Sequence, residues 1–493
     1  MKYQPTIGLE VHAELKTATK MFCDCPNDPL ENHPNTNVCP VCLGHPGTLP
    51  TINKKAIELM LKLGFALGAE INSRFKFDRK NYFYPDLPKG YQISQHDQSI
   101  VKGGELNGIK INRVHLEEDA GKLIHSIPNY QFPSTNYSLV DFNRGGVPLM
   151  ELVTEPVIHT VGEAVEFAKE LQLLLRYLEM SDADLESGQM RFDANVSIAE
   201  SGMGQGTSAL GTKVEIKNLN SFRSLQEALM YEISRQSEVL DEGKEVAQET
   251  RGWDDVEKKT IGQRSKEQAQ DYRYFPEPDL PPLETATLKE VGIDLEAIRF
   301  SVPELPWQKR DRFQKEYGLD HAQAVLLAEN RDLASYFEQT ISELEEEERT
   351  ANSGSIKTAF NYLVSDLRGL MAEASLTLAE LKITPENFSD LIKLIIAGTV
   401  SSRVAKDLLK KMQDSGLDPR EIVKQEGLEQ VSGGEELESM VKKILEENPG
   451  AVADYKKGKT NALQFLVGKA MSALRGRGNP EVLRKMFEGK LME

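Results

Sequence analysis

The sequence predicts an α+β protein that begins with a mixed domain and ends in helices. Up to about residue 290, strand-like alternation and glycine turns are interrupted by a few helices. Beyond that point, helical patterns run almost to the end of the chain. With 493 residues and 39% hydrophobic residues, the chain can bury ample core and should divide into two to four domains. We expect domains over residues 1–292, 293–407 and 408–493, the last being a small helical tail.

In the first domain, residues 6–15 have the period of two that is typical of a strand. Ile7, Leu9 and Val11 lie on one face of it, whereas Glu10 and His12 lie on the other. The strand should therefore bury its apolar face and present its acids and histidine elsewhere.

Two amphipathic helices are predicted in the same domain, over residues 161–180 and 224–242, because apolar residues recur there at helical spacing. Residues 274–282 are rich in proline, which removes backbone donors and fixes φ. This segment should be extended and should close the domain.

The helical part contains a charge run, helix breaks and a helix cap. Residues 343–349 form a charge run, which is typical of a solvated helix face or a linker. Residues 376–427 hold short helical patterns broken by proline and glycine. A longer helix is predicted over residues 460–474. Asn479 can cap the next helix, with Pro480 at its first position.

The charge is acidic overall but uneven. A net charge of −18 argues against a protein that binds nucleic acid over its whole surface. Residues 449–493 contain nine Lys and Arg against four acids, a balance of +5, which leaves −23 for the remainder. The N-terminus lacks the apolar stretch of a signal peptide, and no apolar run reaches membrane-spanning length. We therefore expect a cytoplasmic protein without a membrane partner.

All four cysteines lie within twenty residues, in two tight pairs. Cys23 and Cys25 form the first pair, and Cys39 and Cys42 form the second. Two pairs joined by a short loop suit a tetrahedral structural zinc site. Disulfides and unrelated buried thiols are the alternatives, and His33 and His45 are substitute ligands.

Polar residues dominate several strand-like and loop segments of the first domain. Hard oxygen ligands that converge from such segments would bind Mg²⁺, and nearby bases would neutralise a transferring phosphate. The candidate ligands are Glu10, His12, Glu118, Glu151, Asp193 and Asn195, and the candidate bases are Lys80, Arg144, Arg191 and Lys217. By spacing alone, ordinary polar outer faces of a half-exposed sheet explain the pattern better than a metal site does. The glycine-rich residues 202–213 lack a Walker ending and are read as a flexible hairpin connection.

Longer segments resemble a known family in their order along the chain. They are residues 7–12 (IGLEVH), 80–86 (KNYFYPD), 116–122 (LEEDAGK), 141–151 (DFNRGGVPLME), 191–196 (RFDANV), 217–222 (KNLNSF), 271–279 (DYRYFPEPD) and 458–468 (GKTNALQFLVG). These segments resemble the B subunit of aspartyl/glutamyl-tRNA amidotransferase, and the resemblance covers nearly the whole chain. Phe192 stands where the family often has cysteine, but its position predicts a side chain that points away from the polar face.

The resemblance implies a glutamine-synthetase-like cradle on a mostly antiparallel sheet, and an ATP-dependent ligase. The side-chain carboxylate of Glu-tRNA(Gln) or Asp-tRNA(Asn) would be phosphorylated, and ammonia would then displace the phosphate. Ammonia would come from a glutaminase A subunit, with a small C subunit completing a heterotrimer. Which tRNA is the natural substrate stays open.

The resemblance also implies roles for single residues. Glu10, His12, Glu118 and Glu151 would bind Mg²⁺, with Asp193 and Asn195 beside them. Lys80, Tyr82, Tyr84 and Lys217 would line the nucleotide and aminoacyl pocket. Glu117 and Glu118 are not distinguished by the sequence. A non-catalytic tRNA-binding adaptor and a ligase for a free small acid are the alternative functions. The basic tail would bind the tRNA body, unless its charge is only a chance excess.

Overall fold

A computed structural model describes residues 2–124, 138–200, 210–265, 271–348, 353–430, 434–474 and 477–492. The chain forms two compact units, Met1–Pro306 and Trp307–Glu493. The strands lie in the first unit and the second is helical, so the predicted α+β class is confirmed. Most of the predicted glycine-rich connection at 202–213 lies outside the described residues. Among the described helices, none combines the length and apolar character needed to cross a membrane.

The first unit is built on strands that are mostly antiparallel. They are β1 (Tyr3–Glu14), β2 (Glu70–Ile71), β3 (Arg74–Phe75), β4 (Asp78–Asn81), β5 (Tyr91–Ser94), β6 (Val101–Lys102), β7 (Glu105–Leu106), β8 (Ile109–Glu118), β9 (Lys122–Ile124), β10 (Leu139–Asp141), β11 (Pro148–Thr154), β12 (Met190–Glu200), β13 (Val214–Leu219), β14 (Glu249–Asp254), β15 (Lys259–Ser265), β16 (Phe275–Pro276) and β17 (Leu283–Glu284). In the described residues, one ten-stranded sheet runs β15-β14-β13-β12-β1-β11-β8-β6-β2, with β7 paired to β8. Only the β13–β14 pair of this sheet is parallel within the described part.

A smaller sheet, β16-β4-β5, fixes the proline-rich segment against the rest of the unit. Phe275 pairs with Arg79 across β16 and β4. The Arg79 guanidinium also donates to both carboxylate oxygens of Glu277, at 2.6 and 2.7 Å, and the Glu277 side chain is fully buried. The segment is thus extended and anchored, as the prolines predict.

The helices of the first unit cover the apolar face of the large sheet. They are α1 (Lys54–Ala66), α2 (Val161–Tyr177), α3 (Phe222–Asp241) and α4 (Leu295–Phe300), with a 3₁₀ turn at Thr285–Val291. Helix α3 packs on β12 and β13, and α1 packs on β8. Helix α2 begins with a capping box, in which Thr160 and Glu163 bond each other's backbone N–H groups. The two predicted helices are confirmed to within three residues at each end.

Alternation along β1 and β12 separates an apolar face from a polar one. Ile7, Leu9 and Val11 are completely buried. Phe192 is 1% exposed, and its ring lies 5.8 Å from that of Phe222 at the start of α3. It therefore points toward the helices, as predicted, and its neighbours in the strand point to the opposite face.

The second unit is a set of helices. In chain order they are α5 (Pro306–Tyr317), α6 (His321–Ala328), α7 (Arg331–Glu348), α8 (Ser353–Asn361), a π-helical stretch (Tyr362–Leu367), α9 (Arg368–Glu373), a 3₁₀ turn (Leu378–Glu380), α10 (Pro385–Ile396), α11 (Ser402–Ser415), α12 (Pro419–Glu426), α13 (Gly434–Glu447), α14 (Pro449–Lys456), α15 (Asn461–Ala473) and α16 (Pro480–Met492). The predicted charge run ends α7. Asn479 accepts hydrogen bonds from the N–H groups of Glu481 and Val482, so the predicted cap is confirmed.

The domain boundaries differ from the predicted ones. Helix α4 packs on α1, so the first unit extends beyond residue 292. A boundary at 407 would cut α11, whose buried Leu408, Leu409 and Met412 belong to the same core as α7 and α10. That core ends at Val423. A second core begins at Leu437 and is formed by α13 to α16. Side-chain packing therefore gives different boundaries from those that the sequence suggested.

Candidate active site

The polar face of β1 lies at the centre of the large sheet, between β11 and β12. Antiparallel register sets His12 opposite Glu151 on one side and Arg191 on the other. Two residues earlier, Glu10 lies opposite Asp193. Side chains that face one another across strands lie within interaction distance, so the register alone gathers residues far apart in the sequence.

A first group consists of His12, Glu117 and Glu151, whose ligand atoms all lie within 4.8 Å of one another. His12 Nε2 lies 3.2 Å from Glu151 Oε2. Strand β8 adds His115, whose Nε2 lies 3.1 Å from Glu117 Oε1 and 3.5 Å from Glu151 Oε2. Imidazole and carboxylate donors at this separation can hold a divalent cation, and the carboxylates suit Mg²⁺ or Mn²⁺.

The close packing of these histidines and carboxylates shifts their pKa values. Burial by itself would lower the pKa of His115, but the charges and hydrogen bonds of Glu151 and Glu117 together outweigh burial and raise it to about 9. Burial also opposes the charged form of His12, yet the contact with Glu151 raises its pKa. Burial would raise the pKa of Glu151, but His115 and the other neighbours hold it well below its usual range. The carboxylate of Glu151 is thus charged and stabilised by two histidines before any cation binds.

A second group consists of Glu10, Asp193 and Glu215, again with ligand atoms within 4.8 Å of one another. Lys217 compensates their charge, with Nζ 2.5 Å from Asp193 Oδ2 and 3.1 Å from Glu215 Oε1. The Nδ2 group of Asn195 donates to Glu10 Oε1 at 2.9 Å. Burial, followed by the charge of Glu151, raises the pKa of Glu10. An all-carboxylate donor set fits a hard cation such as Mg²⁺.

The two groups border one cleft of about 300 Å³. Six of the predicted site residues line it, namely His12, Lys80, Tyr82, Arg191, Asp193 and Lys217. The lining also includes Asn218, whose φ of +67° is a strained conformation for a residue with a side chain. Lys80 lies over the ring of Tyr272 at 5.2 Å from its centroid, on the aromatic wall formed by the anchored 271–277 segment. A cleft with two acidic groups and several cations suits a magnesium-bound polyphosphate.

Six predicted residues do not line the cleft. Glu10 and Glu151 belong to the two groups beside it, and Asn195 contacts Glu10, whereas the other three lie elsewhere. Glu118 lies on the opposite face of β8 from Glu117, forms a buried ion pair with Lys89 and accepts a hydrogen bond from the N–H of Ile93 at 2.9 Å. Tyr84 is 54% exposed on the loop between β4 and β5.

Arg144 is the third of these residues, because its guanidinium donates hydrogen bonds to backbone carbonyls of a loop. It donates to the carbonyl oxygens of Ala120 and Gly121 at 3.0 and 2.9 Å. Its role is therefore to hold a loop. Of the two β8 carboxylates that the sequence could not distinguish, Glu117 is the one that lies with His12 and Glu151 and could hold a cation there.

Sequence reasoning missed Glu215 and His115 as site residues. The signal for Glu215 was present, since residues 213–217 alternate and its neighbour Lys217 was a candidate base. His115 gave no signal of its own, because only the pairing of β8 with β11 sets it opposite Glu151. Both residues are recognised through strand pairing.

The cysteine cluster lies apart from the cleft. Its four Sγ atoms belong to free thiols and all lie within 4.8 Å of one another. The sulfurs of Cys39 and Cys42 are 3.9 Å apart, and two sulfurs on one tetrahedral zinc would be about 3.8 Å apart. A hydrogen bond from Cys23 lowers the pKa of Cys42 to about 5, which supplies one thiolate. His33, one of the substitute ligands, contacts Glu31. The four cysteine sulfurs fit zinc without a histidine ligand.

Comparison with known proteins agrees with the division into a catalytic and a helical part. Residues 5–289 match the family model described as the GatB/GatE catalytic domain, and residues 337–491 match the one described as the GatB domain. The first match contains every residue of the cleft. Fold and site together thus define one component of an amidotransferase, a carbon–nitrogen ligase with glutamine as amide donor.

Full-length relatives make the family more specific. The B subunit of aspartyl/glutamyl-tRNA(Asn/Gln) amidotransferase from Carboxydothermus hydrogenoformans is 46% identical over 99% of both chains, and that from Thermomicrobium roseum is 46% identical over 100% of this chain and 99% of the relative. The protein of the same name in Thermoanaerobacter pseudethanolicus is 44% identical over 100% of both chains. The chain belongs to the family of aspartyl/glutamyl-tRNA(Asn/Gln) amidotransferase B subunits.

Proposed function

We propose that this chain phosphorylates the side-chain carboxylate of Glu-tRNA(Gln) or Asp-tRNA(Asn) with ATP, and that ammonia then replaces the phosphate to give the amide. The observation that carries the proposal is the single cleft bordered by two acidic groups and by the cations Lys80, Arg191 and Lys217. A carboxylate oxygen is a poor leaving group, whereas phosphate is a good one. ATP therefore makes the amidation possible.

Each part of the cleft has a role in this reaction. The group of His12, Glu117 and Glu151 and the group of Glu10, Asp193 and Glu215 would each hold a divalent cation. When bound, Mg²⁺ supplies charge neutralisation at the phosphate oxygens. Lys80 and Arg191, which line the cleft, offset the negative charge of the transferring phosphoryl group and orient it. A cation that binds the second group would replace the Lys217 ammonium beside Asp193 and Glu215. Lys217 would then be available to contact phosphate.

Partners and zinc complete the proposal. The amide donor would be delivered by a glutaminase A subunit, with a small C subunit in a heterotrimer. The cysteine cluster would hold one structural zinc, because four thiolates leave no position for substrate. Free thiols at this distance suit a reducing compartment, and we place the complex in the cytoplasm.

The tail would bind the tRNA body, and we take it as residues 434–492, which contain the second helical core, rather than as residues 408–493. Lys456 and Lys457 are exposed at the end of α14 and are free to meet phosphates. Lys459 pairs with Asp454 at 3.0 Å, and Arg477 donates to the carbonyl of Gly427 at 3.0 Å. Arg475 lies outside the described residues. We therefore assign the phosphate contacts to the lysines rather than to Arg477.

The test is ATP hydrolysis by the purified complex, with and without each mischarged tRNA. We expect turnover to require Glu-tRNA(Gln) or Asp-tRNA(Asn), and we expect Glu151→Gln to abolish it while tRNA still binds. Glu200→Gln, at the exposed end of β12, is the matched control. Full turnover in Glu151→Gln would place the chemistry elsewhere, and tRNA binding without any turnover in the wild type would favour a non-catalytic adaptor.

A further inference from the structure

Lys20 is a buried lysine, and removing its charge from water costs free energy. Its side chain lies between the cysteine cluster and the loop of residues 142–147, with only 1% of the residue exposed. Its Nζ donates to the carbonyl oxygens of Gly145 at 2.7 Å and Phe142 at 3.1 Å, and lies 4.0 Å from Cys42 Sγ. Within the described part of the chain no carboxylate pairs with it. A buried ammonium without a carboxylate partner is retained only where its surroundings compensate the charge.

The loop that Lys20 contacts is joined to both sides of the fold. On the cysteine side, the N–H of Met21 donates to Gly146 O at 2.8 Å. On the other side, the N–H of Gly146 donates to Asp119 O at 2.9 Å, and the N–H of Asp119 donates to Val147 O at 2.8 Å. Gly146 has a φ of +90°, which disfavours any residue with a side chain. The loop therefore has little freedom to shift without moving Asp119.

Asp119 in turn fixes a cation on the cleft wall. The Nη2 group of Arg191 lies 3.2 Å from both carboxylate oxygens of Asp119, and Arg144 Nε lies 3.7 Å from one of them. Asp119 and Arg191 both line the cleft. An unbroken series of contacts thus leads from Cys42 through Lys20 and the loop to the cation that would face phosphate.

We propose that Lys20 is a positioning residue that couples the cysteine cluster to the wall of the cleft. Its ammonium compensates the negative charge of the thiolates when they hold a metal, and it holds the two loop carbonyls that set Asp119 and Arg191. The cysteine cluster would then serve the catalytic cleft as well as the local fold. The kinetic part of this inference rests on the proposed function, whereas its metal and exchange parts do not.

The test compares Lys20→Met, which removes the charge, with Lys20→Arg, which keeps it, in the full complex. Lys62→Met is the matched control, because Lys62, on α1, also donates to a backbone carbonyl, that of Leu178 at the end of α2, at 3.0 Å. We expect Lys20→Met to lose zinc to a chelator at about 10-fold lower concentration, as for outer-shell partners of metal ligands. We also expect faster hydrogen exchange at the amides of Gly146 and Asp119. Lys20→Arg should restore both toward the wild type.

The kinetic readout separates positioning from mere stability. If Arg191 is misplaced, the KM for ATP should rise about 10-fold in the folded variant, and Lys62→Met should leave it unchanged. A lower melting temperature with unchanged zinc retention, exchange and KM would overturn the proposal. If Lys20→Met does not fold, Lys20→Gln keeps one donor without the charge and is measured in the same way. If the wild-type complex hydrolyses no ATP, the proposed function fails, while the zinc and exchange results still decide the coupling.

Discussion

Replacing Glu117 or Glu118 by glutamine should have opposite consequences, although the two residues are neighbours in sequence. Glu117 faces His12 and Glu151 in the first group. Glu118 faces the other side of β8, where it pairs with Lys89. We expect Glu117→Gln to weaken cation binding with little loss of stability, and Glu118→Gln to cost stability while cation binding persists.

The magnitudes follow from the burial and the charges. Two unit charges about 4 Å apart interact by about 4 kcal/mol at an effective dielectric constant of 20. A divalent cation doubles this attraction and desolvation removes much of it, so we take a net loss of about 3 kcal/mol for Glu117→Gln, or about 100-fold in affinity. The side chains of Lys89 and Glu118 are only 10% and 5% exposed. Breaking such a pair costs about 3 to 5 kcal/mol of unfolding free energy.

The assay is Mn²⁺ titration followed by electron paramagnetic resonance, together with urea unfolding of each variant. Wild type should bind two Mn²⁺ in the cleft, and Glu117→Gln should lose one of them within the accessible concentration range. Its unfolding free energy should stay within about 1 kcal/mol of wild type, because the loss of the buried Glu117–His115 pair is offset by relief of the repulsion between the Glu117 and Glu151 carboxylates, which lie within 4.8 Å of each other. If Glu118→Gln weakened Mn²⁺ more than Glu117→Gln, the assignment of the β8 ligand would be refuted.

Three further outcomes are expected. Glu215→Gln should lower tRNA-dependent ATP hydrolysis about 100-fold, since it removes one carboxylate of the second group; a steady-state rate near that of Glu200→Gln would exclude Glu215 from the site. Metal analysis should find one zinc per chain in the wild type and less in Cys42→Ser, which should also have a lower melting temperature because metal binding contributes to folding; equal zinc content would contradict the cluster. A chain ending at Leu428, beyond the last buried residue of the larger helical core, should fold but bind tRNA more weakly and with a flatter salt dependence. Identical affinities and salt slopes for the full and shortened chains would remove the tail from tRNA binding.

Local patterns predicted the elements well, because they depend on near neighbours in the chain. The alternation in β1 and the apolar spacing in α2 and α3 are properties of single segments. The cap at Asn479 depends on the two residues that follow it. The cysteine pairs were also recognisable, since each pair comes from one turn.

Neighbouring residues were harder to separate when the strand direction was not known. Glu117 and Glu118 are chemically identical, and a strand sends successive side chains to opposite faces. Which of them faces the cleft depends on the register of β8 against β11, a contact between residues about 35 positions apart. Tyr84 lies in the same segment as Lys80 and Tyr82 but turns outward with its loop. Its exposure follows from the hairpin between β4 and β5, not from its type.

The sequence by itself determined the chemical inventory of this protein: an acidic strand at its start, a cluster of four cysteines, a mixed domain followed by helices and a family resemblance along nearly its whole length. The tertiary structure alone decided which carboxylates lie close enough to share a cation, because cation binding depends on distances of a few ångströms between strands far apart in the sequence. It also decided where the helical core ends and that Lys20 joins the cysteines to the cleft. Those properties arise from register and packing, which no single segment contains.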